Sequence, residues 1–318
     1  MKRDWPEEAL SYQETVARAF HALGGVELAR KAELDPDFRA STVRPVLEQL
    51  DLLTLDFWGD EAESAAAVLA VKEAGAVVLP WPLTHGLAVP VGVRDTVDGL
   101  YLTNGPVRRL DHADLFDRAI ALDTDNSTAH ALVSQTLSSA PLDPFAVAVD
   151  MSESAALDDS DHALAAHYLL DAFWVAGACR TTVELAARHA RDRNQFGVPI
   201  GNFGEIRWHL ADMVLARDGL DELALHTWWE ARCGRAGLVD LLALRLNMIE
   251  AATTVLSHGH QVLAAMGLCE EHDLTVIDRH VQSALRRPGG ALKITGQLAE
   301  TIATDGFAGT FDVEPWSA

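Results

Sequence analysis

The chain has 318 residues, of which 49% are hydrophobic and 23% are charged, and its 47 acidic against 25 basic residues give a formal net charge of −22. This length is enough for roughly two domains with a sizeable core. The acidic balance excludes non-specific binding to nucleic acid or to an anionic membrane surface, because both partners require a basic face.

Cysteine usage and the amino terminus favour a cytoplasmic protein. Cys179, Cys233 and Cys269 are far apart and odd in number, and no CxxC pair exists, so neither a disulfide framework nor a cysteine-based zinc site is expected. The amino terminus has two early basic residues but no apolar stretch, unlike a signal peptide. No uncharged apolar run reaches the length of about 18 residues that a membrane span needs.

The first part of the chain, residues 1–95, is predicted to be an N-terminal helical domain. Apolar residues at helical spacing predict helices over residues 7–23, 42–53 and 61–74. Pro80-Trp81-Pro82 then ends any helix and predicts an extended segment.

Residues 96–155 are predicted to form a small β domain. Turn-like sequences separate short apolar or alternating runs at residues 99–103, 118–122, 129–134 and 145–149. A unit of about 60 residues has a marginal core by itself. We therefore expect it to pack against the helices or against another chain.

Residues 156–318 are predicted to form a C-terminal helical bundle. Long helices are expected over residues 161–192, 204–233, 236–266, 271–286 and 290–303, with a loop over 193–201. The predicted fold class is α+β, mostly α.

The loop after the first bundle helix is the most informative stretch. Arg193 offers a fork of donors suited to phosphate, Gln195 adds an amide, and Phe196 adds an aromatic face. Gly197 permits unusual backbone angles, and Pro199 prevents the helix from continuing. The residues alone leave two interpretations open, an anion site at a helix junction and an ordinary turn between helices.

Two segments resemble signatures of the acyl-CoA dehydrogenase flavoproteins. Arg193-x-Gln195-Phe196-Gly197-x-Pro199-Ile200, followed by Phe203 and Leu210-Ala211-Asp212-Met213, resembles the family motif that reaches the FAD diphosphate and adenosine of a neighbouring subunit. The segment from His260 to Arg279, with Gln261, Gly267 and Glu271-His272-Asp273-Leu274, resembles a second FAD-contacting motif. The resemblance implies an N-terminal helical domain, a small β domain and a helical bundle. It also implies that Arg193, Gln195, Phe196, Gln261 and Gly267 contact FAD.

The departures from the family pattern are as informative as the matches. The chain is shorter than typical members, and the flavin-lining Thr-Glu and Gly-Ser motif of the β domain is missing. Gly204, Ala264 and Ala265 stand where the family has a glutamine and two glycines. These changes disfavour a self-sufficient FAD site.

The catalytic base is the clearest gap. Dehydrogenation requires a carboxylate over the substrate C2 proton, and the family carries that glutamate either in a C-terminal loop, which is absent here, or 26 residues before the motif arginine. Counting back from Arg193 gives His167, a weak candidate base. A helix histidine that faces a neighbour is the alternative for this residue.

The pattern resembles the small, base-poor subunit of the actinobacterial α2β2 heterotetrameric dehydrogenases that act on steroid-derived CoA thioesters. That resemblance implies a larger homologous partner carrying the glutamate, an acyl-CoA substrate and an electron-transfer flavoprotein as acceptor. Two alternatives remain: a structural subunit without cofactor, and a self-contained dehydrogenase using His167. No metal is expected, since the histidines between residues 258 and 280 have no metal-binding spacing. Arg286-Arg287 has two interpretations, a phosphate contact and a solvated helix end, of which the solvated helix end is expected.

Overall fold

The computed structural model describes residues 4–126, 128–137, 143–155, 157 and 159–306. The helices that precede the sheet are α1 (Glu7–Leu23), α2 (Val26–Leu34), α3 (Arg44–Gln49), α4 (Glu61–Ala76) and α5 (Leu83–Leu87). The first predicted helix has the observed bounds, because Gly24, with φ of 121°, ends it in a conformation that favours glycine.

The helix predicted over residues 42–53 is divided in the structure. A π-helical turn over Arg39–Val43 leads into α3, and a 3₁₀ turn over Leu52–Thr54 follows it. Asp51, with a left-handed φ of 54°, separates the two. The chain also forms α2, which was not predicted. Val26 and Leu28 are the only buried residues of this helix larger than alanine, so its apolar periodicity is weak.

The sheet has five strands in the order β1-β3-β4-β5-β2. Their bounds are Gly99–Thr103 (β1), Arg109–Asp111 (β2), Ala119–Asp123 (β3), Thr128–Leu137 (β4) and Ala146–Ala155 (β5). β1 pairs with β3 in parallel, and the other neighbours are antiparallel. The sequence did not predict β2, since three residues are too few to show an alternating pattern.

The two faces of the sheet belong to different cores. Leu100, Leu102 and Ile120 join the large core that the helices form, whereas Tyr101 and Leu110 belong to a smaller cluster within the sheet domain. Alternate residues of a strand point to opposite faces. One face of the sheet therefore packs against the helices, as expected for a β unit of this size.

The remaining helices form the C-terminal bundle. Its elements are α6 (Ser160–Asp192), β6 (Asn194–Gln195), β7 (Val198–Pro199), α7 (Gly204–Arg232), α8 (Leu238–Leu263), α9 (Asp273–Arg286) and α10 (Ala291–Asp305). α6 is central, because it packs against α4, α7 and α8. Among the described residues, no helix combines the length and apolar character required to cross a bilayer.

Two glycines allow α4 and α6 to cross at very short distance. A Cβ added to Gly177 would lie 1.9 Å from the Lys72 carbonyl oxygen, and one added to Gly75 would lie 1.8 Å from the Trp174 carbonyl oxygen. Backbone therefore meets backbone at this crossing. The contact fixes the N-terminal helices on the helix that carries both His167 and the loop at Arg193.

Candidate functional site

The loop at Arg193 is a tight β-hairpin that projects from the end of α6. Gln195 pairs with Val198, and the two turn residues between them, Phe196 and Gly197, have φ of 53° and 83°. Two successive residues with positive φ are typical of a type I′ hairpin turn, in which glycine and asparagine are preferred. A phenylalanine here is strained, and strained non-glycine residues cluster at functional sites.

The hairpin is anchored at its base and exposed at its tip. The Ile200 amide donates to the Arg193 carbonyl oxygen at 2.8 Å, and the Ile200 side chain is buried. Phe196 is 94% exposed, and its ring lies roughly perpendicular to the Phe203 ring with 6.2 Å between centroids. The strain at Phe196 is therefore not offset by burial within this chain, and its ring is accessible to another molecule.

Arg193 carries a positive charge that no acidic side chain neutralises within the described part of the chain. In the amide orientation that satisfies both groups, the Gln195 oxygen accepts from Arg193 Nη2 at 2.7 Å. The amide thus holds the guanidinium in place without cancelling its charge. In a chain of net charge −22, this arginine is suited to a diphosphate supplied from outside.

Gln261 and Gly267 lie at the end of α8 and in the turn that follows. Gln261 is exposed, whereas Gly267 is buried. A Cβ at Gly267 would lie 3.2 Å from both His260 Nδ1 and the Leu263 Cβ, so glycine keeps this turn close to α8. The role of Gly267 seen in the structure is therefore close packing, while the side chain of Gln261 is available for a ligand.

The histidines downstream have separate partners. His272 caps α9, accepting from the Leu274 amide at 3.1 Å. His260 Nε2 lies 3.2 Å from Asp278, and His280 Nε2 lies 2.8 Å from Glu33. Each ring is explained by capping or by a carboxylate partner.

His167 lies in a buried chain of polar groups at the cleft between α6, α9 and the sheet. It is 3% exposed. Its Nε2 is 2.9 Å from Nδ1 of His85, and its Nδ1 is 3.3 Å from Oδ2 of Asp171. Burial lowers the pKa of His85 to about 3, so that ring is neutral near pH 7. Both nitrogens of His167 thus face protein groups rather than an open substrate site.

The cleft in front of His167 is occupied by further side chains. The Tyr101 ring stacks on His85 at 4.2 Å, and its hydroxyl donates to the Asp111 carbonyl oxygen at 2.7 Å. Asp111 forms an ion pair with Arg287. Burial acts against the Asp111 carboxylate, but Arg287 prevails and lowers its pKa to about 2. The expectation that Arg287 lies at a solvated helix end is therefore wrong. Its side chain is half-buried, and its charge pairs with Asp111 inside the protein.

The space that remains is small. The cavity lined by His85, His167, Asp171 and Arg287 has a volume of about 90 Å³, room for about three water molecules. This volume is much smaller than a tricyclic flavin ring, so a flavin in this cleft would have to displace side chains that line it.

Comparison with known proteins decides the fold family. Residues 169–296 match the family model of the acyl-CoA dehydrogenase C-terminal domain. Glutaryl-coenzyme A dehydrogenase is 15% identical with a TM-score of 0.77, and the match covers 96% of this chain and 98% of that one. This is an acyl-CoA dehydrogenase fold.

Two other structures with this fold are each named for a pair of proteins. A variant of the Tcur3481-Tcur3483 steroid ACAD is 16% identical with a TM-score of 0.82, covering 93% of this chain and 98% of that one. The ChsE4-ChsE5 complex from Mycobacterium tuberculosis is 15% identical with a TM-score of 0.76, covering 96% and 99%. The acyl-CoA dehydrogenase architecture predicted from the two motifs is confirmed.

The polar groups that fill the cleft were not visible in the sequence as a set. His85 is 82 residues from His167, and Asp111 is 176 residues from Arg287. The one usable signal was Arg287 itself, because an arginine next to Pro288-Gly289 has few helix carbonyls to contact. Its carboxylate partner lies in a strand that the pattern did not reveal.

Proposed function

We propose that this chain is one subunit of a heteromeric, FAD-dependent acyl-CoA dehydrogenase. A larger homologous chain would hold the flavin ring, the catalytic glutamate and most of the thioester pocket. This chain would hold the diphosphate end of the same FAD with Arg193, Gln195, Phe196 and Gln261. The reaction would be the α,β-dehydrogenation of a bulky, steroid-derived acyl-CoA, with an electron-transfer flavoprotein as acceptor.

One observation carries the proposal: the hairpin suits a flavin whose ring the chain's own cleft would hold only after side chains are displaced. A flavin in that cleft would have to displace the partly buried Asp111–Arg287 pair and Tyr101. Leaving a buried acceptor without its partner costs about 1–3 kcal/mol. The strained, exposed Phe196 beside an unneutralised Arg193 supports the proposal, because a second molecule would bury the ring and pair with the charge.

The residues of this chain would bind and orient rather than carry out proton transfer. The guanidinium of Arg193 would pair with phosphate oxygens, and at an interface the lower dielectric strengthens that pairing. Phe196 would cover the adenosine part and exclude water. When bound, FAD supplies the hydride acceptor of the dehydrogenation.

His167 is less suited to act as the base of a self-contained enzyme. A general base must reach the proton it removes within about 3 Å, and both nitrogens of His167 face His85 and Asp171. A turnover that survived in His167→Ala would remove this possibility entirely.

A structural subunit that binds no cofactor is the second candidate. The residues Gly204, Ala264 and Ala265, which replace a glutamine and two glycines of the family pattern, favour it. Under this alternative the hairpin contacts only protein, and the flavin of the partner is independent of Arg193.

The test is the flavin content of the complex formed on co-expression with a larger acyl-CoA dehydrogenase chain. In Arg193→Ala we expect an intact complex with at least about tenfold weaker FAD retention, because one charged hydrogen-bonded contact is worth about 1.5–3 kcal/mol. The matched control is Arg18→Ala on α1, an exposed arginine whose hydrogen bond is to Thr15 within its own helix. Absorbance near 450 nm per complex, after gel filtration, is the readout.

Each outcome distinguishes the candidates. Flavin lost in Arg193→Ala but retained in Arg18→Ala supports the shared site. Unchanged flavin in both variants supports the structural subunit. If the chain purified alone binds one FAD and oxidises an acyl-CoA, the shared-site proposal is wrong.

A further inference from the structure

A pocket lined by three indole rings lies where the start of α1 meets the start of α4 and the end of α7. Its volume is about 220 Å³, room for about seven water molecules, so it suits a single-ring ligand rather than a nucleotide. Trp5 precedes α1, Glu61 begins α4, and the lining residues Trp228, Trp229 and Arg232 lie at the end of α7. We call it the indole pocket. It is separate from the cleft and from the hairpin described above.

The indole rings are held in place before any ligand binds. Trp228 is 5% exposed, and its Nε1 donates to Ser64 Oγ at 3.0 Å. The Trp5 ring is tilted by 43° to the Trp228 ring with 5.0 Å between centroids, and it lies 6.3 Å from the Phe173 ring of α6. Indole rings attract a further aromatic ring. A wall fixed by α4, α6 and α7 is typical of a pre-formed small-molecule site.

Arg232 places a positive charge at this wall. Its Nη2 donates to the Gly59 carbonyl oxygen at 3.0 Å, and its guanidinium carbon lies 5.8 Å from the centroid of the Trp228 ring. Arg235, three residues further on, pairs with Glu230 at 2.7 Å, but Arg232 has no ion pair within the part of the chain that the structure describes. Because these contacts position the guanidinium without neutralising it, its free N–H donors suit a ligand carboxylate.

The rim of the pocket has the opposite charge. Asp4 and Glu61 also line it, and Asp4 is exposed. A ligand with only a negative charge would be repelled by these carboxylates, and a ligand with only a positive charge would be repelled by Arg232. A ligand that carries both charges would find a partner for each.

We infer that the indole pocket binds an aromatic zwitterion, of which an aromatic amino acid is the simplest. Its ring would pack between the indoles, its carboxylate would pair with Arg232, and its ammonium group would face the acidic rim. Residues 1–3, which precede Asp4, carry two basic side chains and only one apolar side chain, Met1, so they match the indole wall poorly. The inference is independent of the proposed shared FAD site, because neither the hairpin nor Gln261 takes part in it.

The chain's own cysteines can locate the binding. Cys233 lines the pocket and is exposed, Cys269 is exposed between α8 and α9, and Cys179 is buried. L-Phenylalanine is added to the purified chain, or to the complex in which it is obtained, and alkylation by iodoacetamide is followed for each cysteine by mass spectrometry. At ten times the dissociation constant measured by titration calorimetry, phenylalanine should slow the alkylation of Cys233 about tenfold and leave that of Cys269 unchanged.

Two fragments of the ligand and two variants of the chain test the charges. 3-Phenylpropionate lacks the ammonium group and phenethylamine lacks the carboxylate, so each should bind at least tenfold more weakly than phenylalanine, a difference of about 1.4 kcal/mol. In Arg232→Met the advantage of phenylalanine over phenethylamine should disappear, while its advantage over phenylpropionate remains. The matched control is Arg18→Met at an exposed position of α1, which should leave all three affinities unchanged.

Four results would overturn the inference. The first is an absence of binding heat and of Cys233 protection at millimolar phenylalanine. The second is binding without protection of Cys233, which would place phenylalanine elsewhere on the protein. The third is unchanged selectivity in an Arg232→Met protein that circular dichroism shows to be folded. The fourth is binding only after residues 1–3 are deleted, which would assign the pocket to that segment.

Discussion

The crossing of α4 and α6 gives the sharpest quantitative prediction. In Gly177→Ala the new Cβ would start 1.9 Å from the Lys72 carbonyl oxygen, whereas ordinary contact begins at 3.4 Å. The helices must therefore separate by about 1.5 Å. Because backbone atoms cannot rotate away as a side chain would, the strain is shared by the whole interface, and the reciprocal contact of Gly75 with Trp174 is loosened too.

The magnitude follows from two opposing terms. Alanine is more favourable than glycine inside a helix by about 1 kcal/mol. Overpacking costs about 1–3 kcal/mol and more against backbone, so we expect a net loss of about 2 kcal/mol. The control is Gly219→Ala inside α7, where no atom lies within 4 Å of the added Cβ. That variant feels only the helix propensity and should gain about 1 kcal/mol.

Thermal unfolding followed by circular dichroism at one scan rate checks both signs. For a chain of this size each kcal/mol moves the midpoint by about 2–4 °C. Gly177→Ala should melt about 4–8 °C below the wild type, and Gly219→Ala about 2–4 °C above it. A Gly177→Ala protein that melts at or above the wild-type temperature would refute the close-crossing argument.

Three further predictions concern the site. Phe196→Asn should leave the melting temperature unchanged or raise it, because asparagine tolerates positive φ and the phenylalanine is 94% exposed, yet FAD retention by the complex should fall; a lower melting temperature would argue against strain. Arg287→Met should cost about 1–3 kcal/mol in urea unfolding because it leaves Asp111 without its partner, whereas Arg287→Met with Asp111→Leu should recover most of the loss; equal losses would argue against the pair. Burial and the nearby Asp111 raise the pKa of Asp143 from 3.8 to about 6, so its contribution to stability is present below about pH 4 and is lost as pH rises through 6. As the pH rises between those limits, the stability of Asp143→Asn should increase relative to the wild type by about 1 kcal/mol, after allowance for solvent screening. Parallel pH profiles of the two proteins would contradict this.

Local sequence predicted the elements whose signals are local. The helix over residues 7–23 and the strand over 99–103 were found at their observed bounds, since glycines or turn residues limit both. The strand Arg109–Asp111 was missed, because two of its three residues are charged and its pairing with Ala146–Ala148 is non-local. Elements stabilised mainly by tertiary contacts carry little pattern of their own.

The candidate site also has one part that local sequence could predict and one part that depends on long-range contacts. The hairpin residues Arg193 and Phe196 are three positions apart, so a motif could reveal them, and the exposure of Phe196 adds an independent physical reason. The filled cleft depends on contacts between residues more than 80 positions apart, such as His85 with His167. Such contacts leave no spacing rule in one sequence.

The length of α6 has a mechanical consequence. Its 33 residues make one continuous rod of about 50 Å, with the filled cleft toward one end and the hairpin at the other. The glycine crossing at Gly177 lies between them, about 15 Å from His167 and about 24 Å from Arg193. The crossing is thus the fulcrum of a lever with unequal arms. A tilt of about 3° there would move the hairpin by about 1.3 Å but the cleft by only about 0.8 Å. Motion imposed on the hairpin would therefore reach the cleft with reduced amplitude.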